Sequence, residues 1–101
     1  MFAVISLQQL EWMLDRGERL VLIDLREREV YEEGHLAGAV SLPYDRLEEE
    51  DLEEYRNCRI VFYCEHGGKS MRAARDFYRR GFWTASLGSG IRYYRGKYLA
   101  T

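Results

Sequence analysis

The run Leu20-Val21-Leu22-Ile23, closed by Asp24, constrains this chain more than any other feature. It carries no polar residue until its end, and a strand apolar on both sides has to be covered on both sides. Arg59–Tyr63 reads as a second strand, and Phe2–Ile5, Ala39–Leu42 and Thr84–Leu87 as further short ones. Helical signals lie between them. Ser6 caps a helix running to Arg16, with Leu7, Leu10, Met13 and Leu14 on one face and Gly17 ending it. Arg28–Glu33 is a short helix stopped by Gly34, and Ser70–Arg80 a longer one ending at Gly81. Tyr44–Tyr55 is expected to be helical, with Leu47 and Leu52 inward and its acidic run in solvent. Gly90–Tyr98 is expected to form a last helix, with Ile91, Tyr94 and Tyr98 on one side. Strands alternating with helices predict an α/β fold around a mainly parallel sheet.

With 101 residues the chain is expected to form a single domain over residues 1–101. A net charge of −2 gives no reason to expect nucleic acid or a membrane surface as partner. The longest apolar runs are far too short to span a bilayer, and the first residues lack the basic start of a signal peptide. The expected location is therefore cytoplasmic. Trp83, Tyr93, Tyr94 and Tyr98 are read as core or core-edge residues.

The cysteines are Cys58 and Cys64, at the two ends of one expected strand. Strand geometry separates them by roughly 20 Å, beyond disulfide reach. Zinc-ligand spacing is absent, and neither metal nor cofactor is expected. Cys58 reads as a small buried hydrophobe or an inert strand-edge thiol. Cys64 opens the segment Cys64-Glu65-His66-Gly67-Gly68-Lys69-Ser70, which joins a buried strand to a helix. The carboxyl end of a strand is where open α/β sheets bind ligands. Gly67 and Gly68 let the backbone turn tightly, so that successive N–H groups can converge on one point. The helix starting near Ser70 aims its free N–H groups at the same place, which favours a thiolate. Lys69 lies in the loop and Arg72 in the first helical turn, where the helix dipole does not favour cations. Arg72, Arg75 and Arg79 share one helix face, opposite Met71, Ala74, Phe77 and Tyr78.

At this point the sequence resembles the rhodanese family over most of its length. The resemblance rests first on Asp24-Leu25-Arg26, then Tyr31, Gly34-His35-Leu36-Ala37-Gly38-Ala39 and Leu42-Pro43, with Val30 where an acid is common. It continues through Ile60–Ser70, and through Gly81-Phe82 and Leu87-Gly88-Ser89-Gly90-Ile91. Ser89 replaces a glycine, and Tyr94 stands where a tryptophan is usual.

The resemblance implies a five-stranded, mainly parallel sheet with helices on both faces. It also implies a sulfurtransferase in which Cys64 takes a sulfane sulfur from a small anionic donor such as thiosulfate, as a persulfide. Cyanide, a thiol or a thioredoxin-like protein would then remove the sulfur. The backbone from Glu65 through His66, Gly67, Gly68 and Lys69 to Ser70 would hold the persulfide and the leaving sulfite. Lys69 would help to bind an anionic donor, with Arg72 close by. Asp24, Arg26 and His35 match positions that read as scaffold beside the loop. One alternative is a persulfide relay or interaction module of the same fold, with little thiosulfate activity. A cysteine phosphatase is disfavoured because the sixth residue after Cys64 is Ser70, not the arginine that grips phosphate.

Overall fold

The computed structural model describes residues 2–101. In chain order the elements are β1 (Ala3–Ile5), α1 (Leu7–Asp15), β2 (Leu20–Asp24), α2 (Arg28–Glu33), β3 (His35–Leu36) and β4 (Val40–Ser41). They continue with β5 (Arg59–Tyr63), α3 (Gly68–Arg79), β6 (Trp83–Leu87) and β7 (Leu99–Ala100). β1, β6, β5, β2 and β4 form, in that spatial order, a five-stranded sheet in which every pairing is parallel. β3 and β7 form a small antiparallel pair.

Alternation along the central strands divides the core in two. Leu22, Val61, Tyr63, Ala85 and Leu87 face one side, where Leu10 and Met13 of α1 cover them together with Ile91 and Tyr94. Ile23, Ile60 and Phe62 face the other side, against Ala73, Ala74 and Phe77 of α3 and against Leu47 and Leu52. The sheet is therefore apolar on both faces, as its uninterrupted strands require. α1 starts where the sequence places it: the Ser6 hydroxyl accepts the Gln9 N–H at 3.0 Å, and the Gln9 side chain accepts the Ser6 N–H at 2.8 Å. Among the described residues no helix is long and apolar enough to cross a membrane.

Several sequence expectations are corrected. Tyr44–Tyr55 is not one helix but two short 3-10 turns, Tyr44–Glu49 and Glu53–Tyr55, separated by extended backbone at Glu50. Leu47 and Leu52 are five residues apart, about 140° around a helix, so one helix could not bury both on one face. Both are buried here, each by its own turn. Gly90–Tyr98 is not helical either. Its Ile91 and Arg92 N–H groups bond instead to the carbonyls of Cys64 and Glu65, at 3.0 and 3.2 Å. α3 begins at Gly68, two residues before the expected start. Met71 and Tyr78 are exposed, and Ser70 and Ala73 take the buried positions on that helix. Trp83 and Tyr93 are also exposed, not core, whereas Tyr94 is buried. The strand expected at Ala39–Leu42 is confined to Val40–Ser41, and the first strand begins at Ala3 rather than Phe2.

Candidate active site

Cys64 follows the last residue of β5 and is 5% exposed. Its Sγ accepts the Gly67 N–H at 3.1 Å. Gly67 can turn this amide back onto the sulfur because its φ is +102°, a left-handed value that disfavours side chains. A β-carbon there would also strike the carbonyl oxygen of Gly88. Glycine is thus required twice at this position, for its torsion and for a close approach. From Gly67 the chain enters α3 directly, so the first N–H groups of that helix lack intrahelical partners and open toward the loop.

Ser70 lies directly beneath the sulfur and is fully buried. Its hydroxyl stands 3.6 Å from Cys64 Sγ, 3.1 Å from the Gly67 carbonyl and 2.8 Å from the Ser86 hydroxyl. With a thiol, the S–H donates to Ser70; with a thiolate, the Ser70 O–H is free to turn and donate to sulfur. Ser86, on β6, is the second hydroxyl of this buried chain, and sequence reasoning missed it. The available signal was a polar pair, Thr84 and Ser86, at alternating positions in a buried strand. Thr84 donates to the Ala74 carbonyl at 2.7 Å and so fastens β6 to α3.

A cleft of about 390 Å³ opens over the sulfur, lined by Leu25, Arg26, Glu27, Cys64, Glu65, His66, Gly68 and Lys69. Four residues of the expected loop besides Cys64 therefore reach it, while Gly67 and Ser70 contact the sulfur without lining the cleft. Lys69 stands at the mouth, its Nζ 5.7 Å from the centre of the Tyr44 ring. His66 Nε2 lies 3.3 Å from the Arg92 guanidinium. Arginine can only donate, so Nε2 is the acceptor there.

The wall opposite the loop is built on buried Asp24. Its carboxylate accepts the Arg26 N–H at 2.9 Å and binds the guanidinium, with Nη2 to Oδ2 at 2.7 Å. Arg26 Nη2 also donates to the Gly34 carbonyl at 2.7 Å, and its Nη1 stands 3.7 Å from Glu65. Burial opposes the charge on Arg26. The hydrogen bonds and attraction of Asp24, aided by Glu65, outweigh that and hold the guanidinium's pKa above the ordinary arginine value. The Tyr63 phenol is pushed far above its usual pKa, first by burial and then by the Asp24 charge. It stays neutral, and its oxygen accepts the Leu36 N–H at 3.1 Å.

His35 lies outside the cleft lining. Its ring stacks on Tyr31 at 3.9 Å, and Nδ1 is 2.7 Å from the Tyr31 carbonyl. Arg72 is exposed on α3 and does not line the cleft. Cys58 precedes β5 at the end of the sheet opposite Cys64, and both cysteines are free. Among the described residues no cluster of three His, Cys, Asp or Glu side chains could hold a metal ion.

Fold and loop together define a class: a parallel α/β domain that presents one thiol on a backbone cradle at the carboxyl end of its sheet. The family model of the rhodanese-like domain matches residues 6–100, and the chain belongs to that family. The putative sulfur carrier protein YrkF of Bacillus subtilis is 34% identical over 94 residues, covering 92% of this chain and 51% of YrkF. The thiosulfate sulfurtransferase GlpE of Coxiella burnetii is 31% identical over 71 residues, covering 70% of this chain and 66% of GlpE. The chain thus spans between half and two thirds of these curated relatives. Among solved structures, a Staphylococcus saprophyticus protein matches with a TM-score of 0.88 at 17% identity, covering 99% of this chain and 100% of that one. The human single-domain sulfurtransferase TSTD1 matches with a TM-score of 0.74 at 22% identity, covering 91% and 94%. These two establish the fold.

Proposed function

We propose that this protein is a sulfurtransferase that moves a sulfane sulfur from an anionic donor, with thiosulfate as the model substrate, to a thiophilic acceptor through a persulfide on Cys64. The observation that carries the reading is the Gly67 amide donating to Cys64 Sγ at 3.1 Å, at the base of a cleft with Lys69 at its mouth. Cys64 thiolate attacks the outer sulfur of thiosulfate. A new S–S bond forms, the donor's S–S bond breaks, and its electron pair leaves with sulfite. Cyanide or a thiolate then attacks the outer sulfur of the persulfide, and Cys64 departs as thiolate.

The roles follow from position. The Gly67 amide and the Ser70 hydroxyl stabilise negative charge on sulfur, where preorganised donors in a water-poor site are most effective. The free N–H groups at the start of α3 and the Lys69 ammonium attract the donor and the leaving sulfite. Arg26 acts as a wall, because Asp24 and Glu65 already claim its charge. Asp24 supports that wall, while His35 stacks on Tyr31 outside the cleft and Arg72 adds positive charge there. Ser70 in place of a phosphate-gripping arginine separates this loop from a phosphatase loop.

A relay is the second reading: the same persulfide forms but discharges to one protein acceptor. The similarity to a putative sulfur carrier over 92% of this chain favours keeping it. Thiocyanate formation from thiosulfate and cyanide tests the enzyme reading. Activity in the wild type and none in Cys64→Ala is expected, and equal rates in both would overturn it.

A further inference from the structure

A second pocket, of about 320 Å³, adjoins the cysteine cleft and shares Arg26 and Glu65 with it as a common wall. Its far side is formed by Arg92, Arg95 and Leu99. Unlike Arg26 or Arg56, neither Arg92 nor Arg95 has a carboxylate within ion-pair distance among the described residues. Both are nonetheless held in place. Arg92 donates its backbone N–H to the Glu65 carbonyl and a guanidinium N–H to His66. The Arg95 guanidinium caps the Tyr94 carbonyl at 2.8 Å. Each keeps N–H donors beyond those these bonds use, since a guanidinium carries five. Beside Arg92, Tyr93 is 79% exposed, with its ring 5.5 Å from the guanidinium, and Leu99 of the pocket lining is 42% exposed.

Two arginines without an ion-paired carboxylate, beside an exposed tyrosine, have the composition of a protein-docking hot spot, and Leu99 adds apolar surface next to them. The mixed pocket wall favours polypeptide over nucleic acid. Glu33 and Glu65 also line it, so its uncompensated positive charge is confined to Arg92 and Arg95, enough to match a short acidic segment but not to track a continuous phosphate backbone. We propose that this pocket docks an acidic segment of a protein acceptor, setting the acceptor's thiol over Cys64. The proposal rests on the sulfur-transfer reading. In the step it serves, the acceptor thiolate attacks the outer sulfur of the Cys64 persulfide. The S–S bond at Cys64 breaks, its electron pair stays on Cys64, and the acceptor carries away the persulfide.

The test uses two synthetic peptides of equal length, each with one cysteine. One is rich in Asp and Leu; in the other every Asp is Asn. The protein is loaded with thiosulfate and freed of excess donor, and its discharge to each peptide is timed at low ionic strength. The acidic peptide is expected to react about tenfold faster, as two charge-assisted pairs allow. That ratio should fall to about threefold or less in Arg95→Gln, and towards unity when Arg92→Gln is added. The ratio cancels any general damage to the loop. Equal rates for both peptides on wild type would overturn the docking proposal.

Should thiosulfate load no sulfur, the sulfur-transfer reading fails, and docking is read separately. A fluorescein-labelled acidic peptide with Ser for Cys would then be titrated with the protein and followed by anisotropy. Binding weakened by Arg95→Gln supports the pocket, and no binding overturns it. Displacement of the peptide by single-stranded poly-uridine at lower concentration than by unlabelled peptide would also overturn the choice of partner.

Discussion

Gly90 lies flat against the Glu65 carbonyl, leaving no room between the two backbones for a side chain: a β-carbon on Gly90 would collide with the Glu65 carbonyl oxygen. Gly90 also sits at φ +73°. The contact presses the segment after β6 against the cysteine loop, and the adjacent Ile91 and Arg92 amides bond to the Cys64 and Glu65 carbonyls. The loop is therefore shaped from outside as well as by its own glycines.

Gly90→Ala is expected to lower stability by about 1–3 kcal/mol and to slow sulfur loading of Cys64. Gly17→Ala serves as the control, because Gly17 has a similar φ of +75° with nothing within 4 Å of the added carbon. It carries the torsional strain without the collision, so it should lower Tm modestly and leave loading unchanged. Equal loading rates in the two variants would show that the Gly90 contact does not shape the loop.

Ser70→Ala removes the hydroxyl beneath the sulfur and leaves Ser86 without its 2.8 Å partner. A loss of about 1–3 kcal/mol in unfolding free energy is expected from the unpaired buried group. Sulfur loading should also slow, by roughly tenfold to a hundredfold, because one donor to the charged sulfur is gone. Ser86→Ala should lose stability but keep most of the loading rate, its hydroxyl being one bond further from sulfur. Similar kinetic losses in both variants would count against a direct role for Ser70.

Lys69 lines the cleft and is exposed, so its expected contribution to anion binding is modest. Lys69→Ala should raise KM for thiosulfate roughly two- to fivefold, with less effect at high salt. An uncharged sulfur donor should show no such change. Equal effects on both donors would remove Lys69 from anion binding.

Alkaline pH offers a test of the core beside the site. Burial, then the hydrogen bond to Glu11, raises Tyr94 to about 12, and Tyr63 is raised further still. An unfolded tyrosine ionises near about pH 10. Below that value both states keep the phenol proton, and the stabilisation is fully present. Above it the unfolded chain releases protons that the folded one retains, so stability falls until Tyr94 ionises in place. Urea unfolding compared at pH below 10 and between 10 and 12 should show this loss, less steeply in Tyr94→Phe. An unchanged slope in that variant would contradict the assignment.

The sequence made the central sheet legible because fully buried strands leave unbroken apolar runs: β2 and β5 begin and end where Leu20–Asp24 and Arg59–Tyr63 predicted. The cysteine loop was legible because Gly67 and Gly68 stand between a strand and a helix. Failures came where distant contacts outweighed local pattern. Ile91, Tyr94 and Tyr98 have helical spacing, and Ile91 and Tyr94 do reach the core, yet Gly90 and the amides after it are committed to the cysteine loop. The β3–β7 pair has two residues on each strand, too few to show any period. Ser86 was missed because a hydroxyl inside a buried strand gains its meaning only from Ser70, sixteen residues away.

The most direct test is the intact mass of the protein after thiosulfate treatment and removal of excess donor. Sulfur transfer through Cys64 predicts a gain of one sulfur atom, located on Cys64 by peptide mapping, lost on adding cyanide and absent in Cys64→Ser. No gain on wild type, or the same gain on Cys64→Ser, would contradict it.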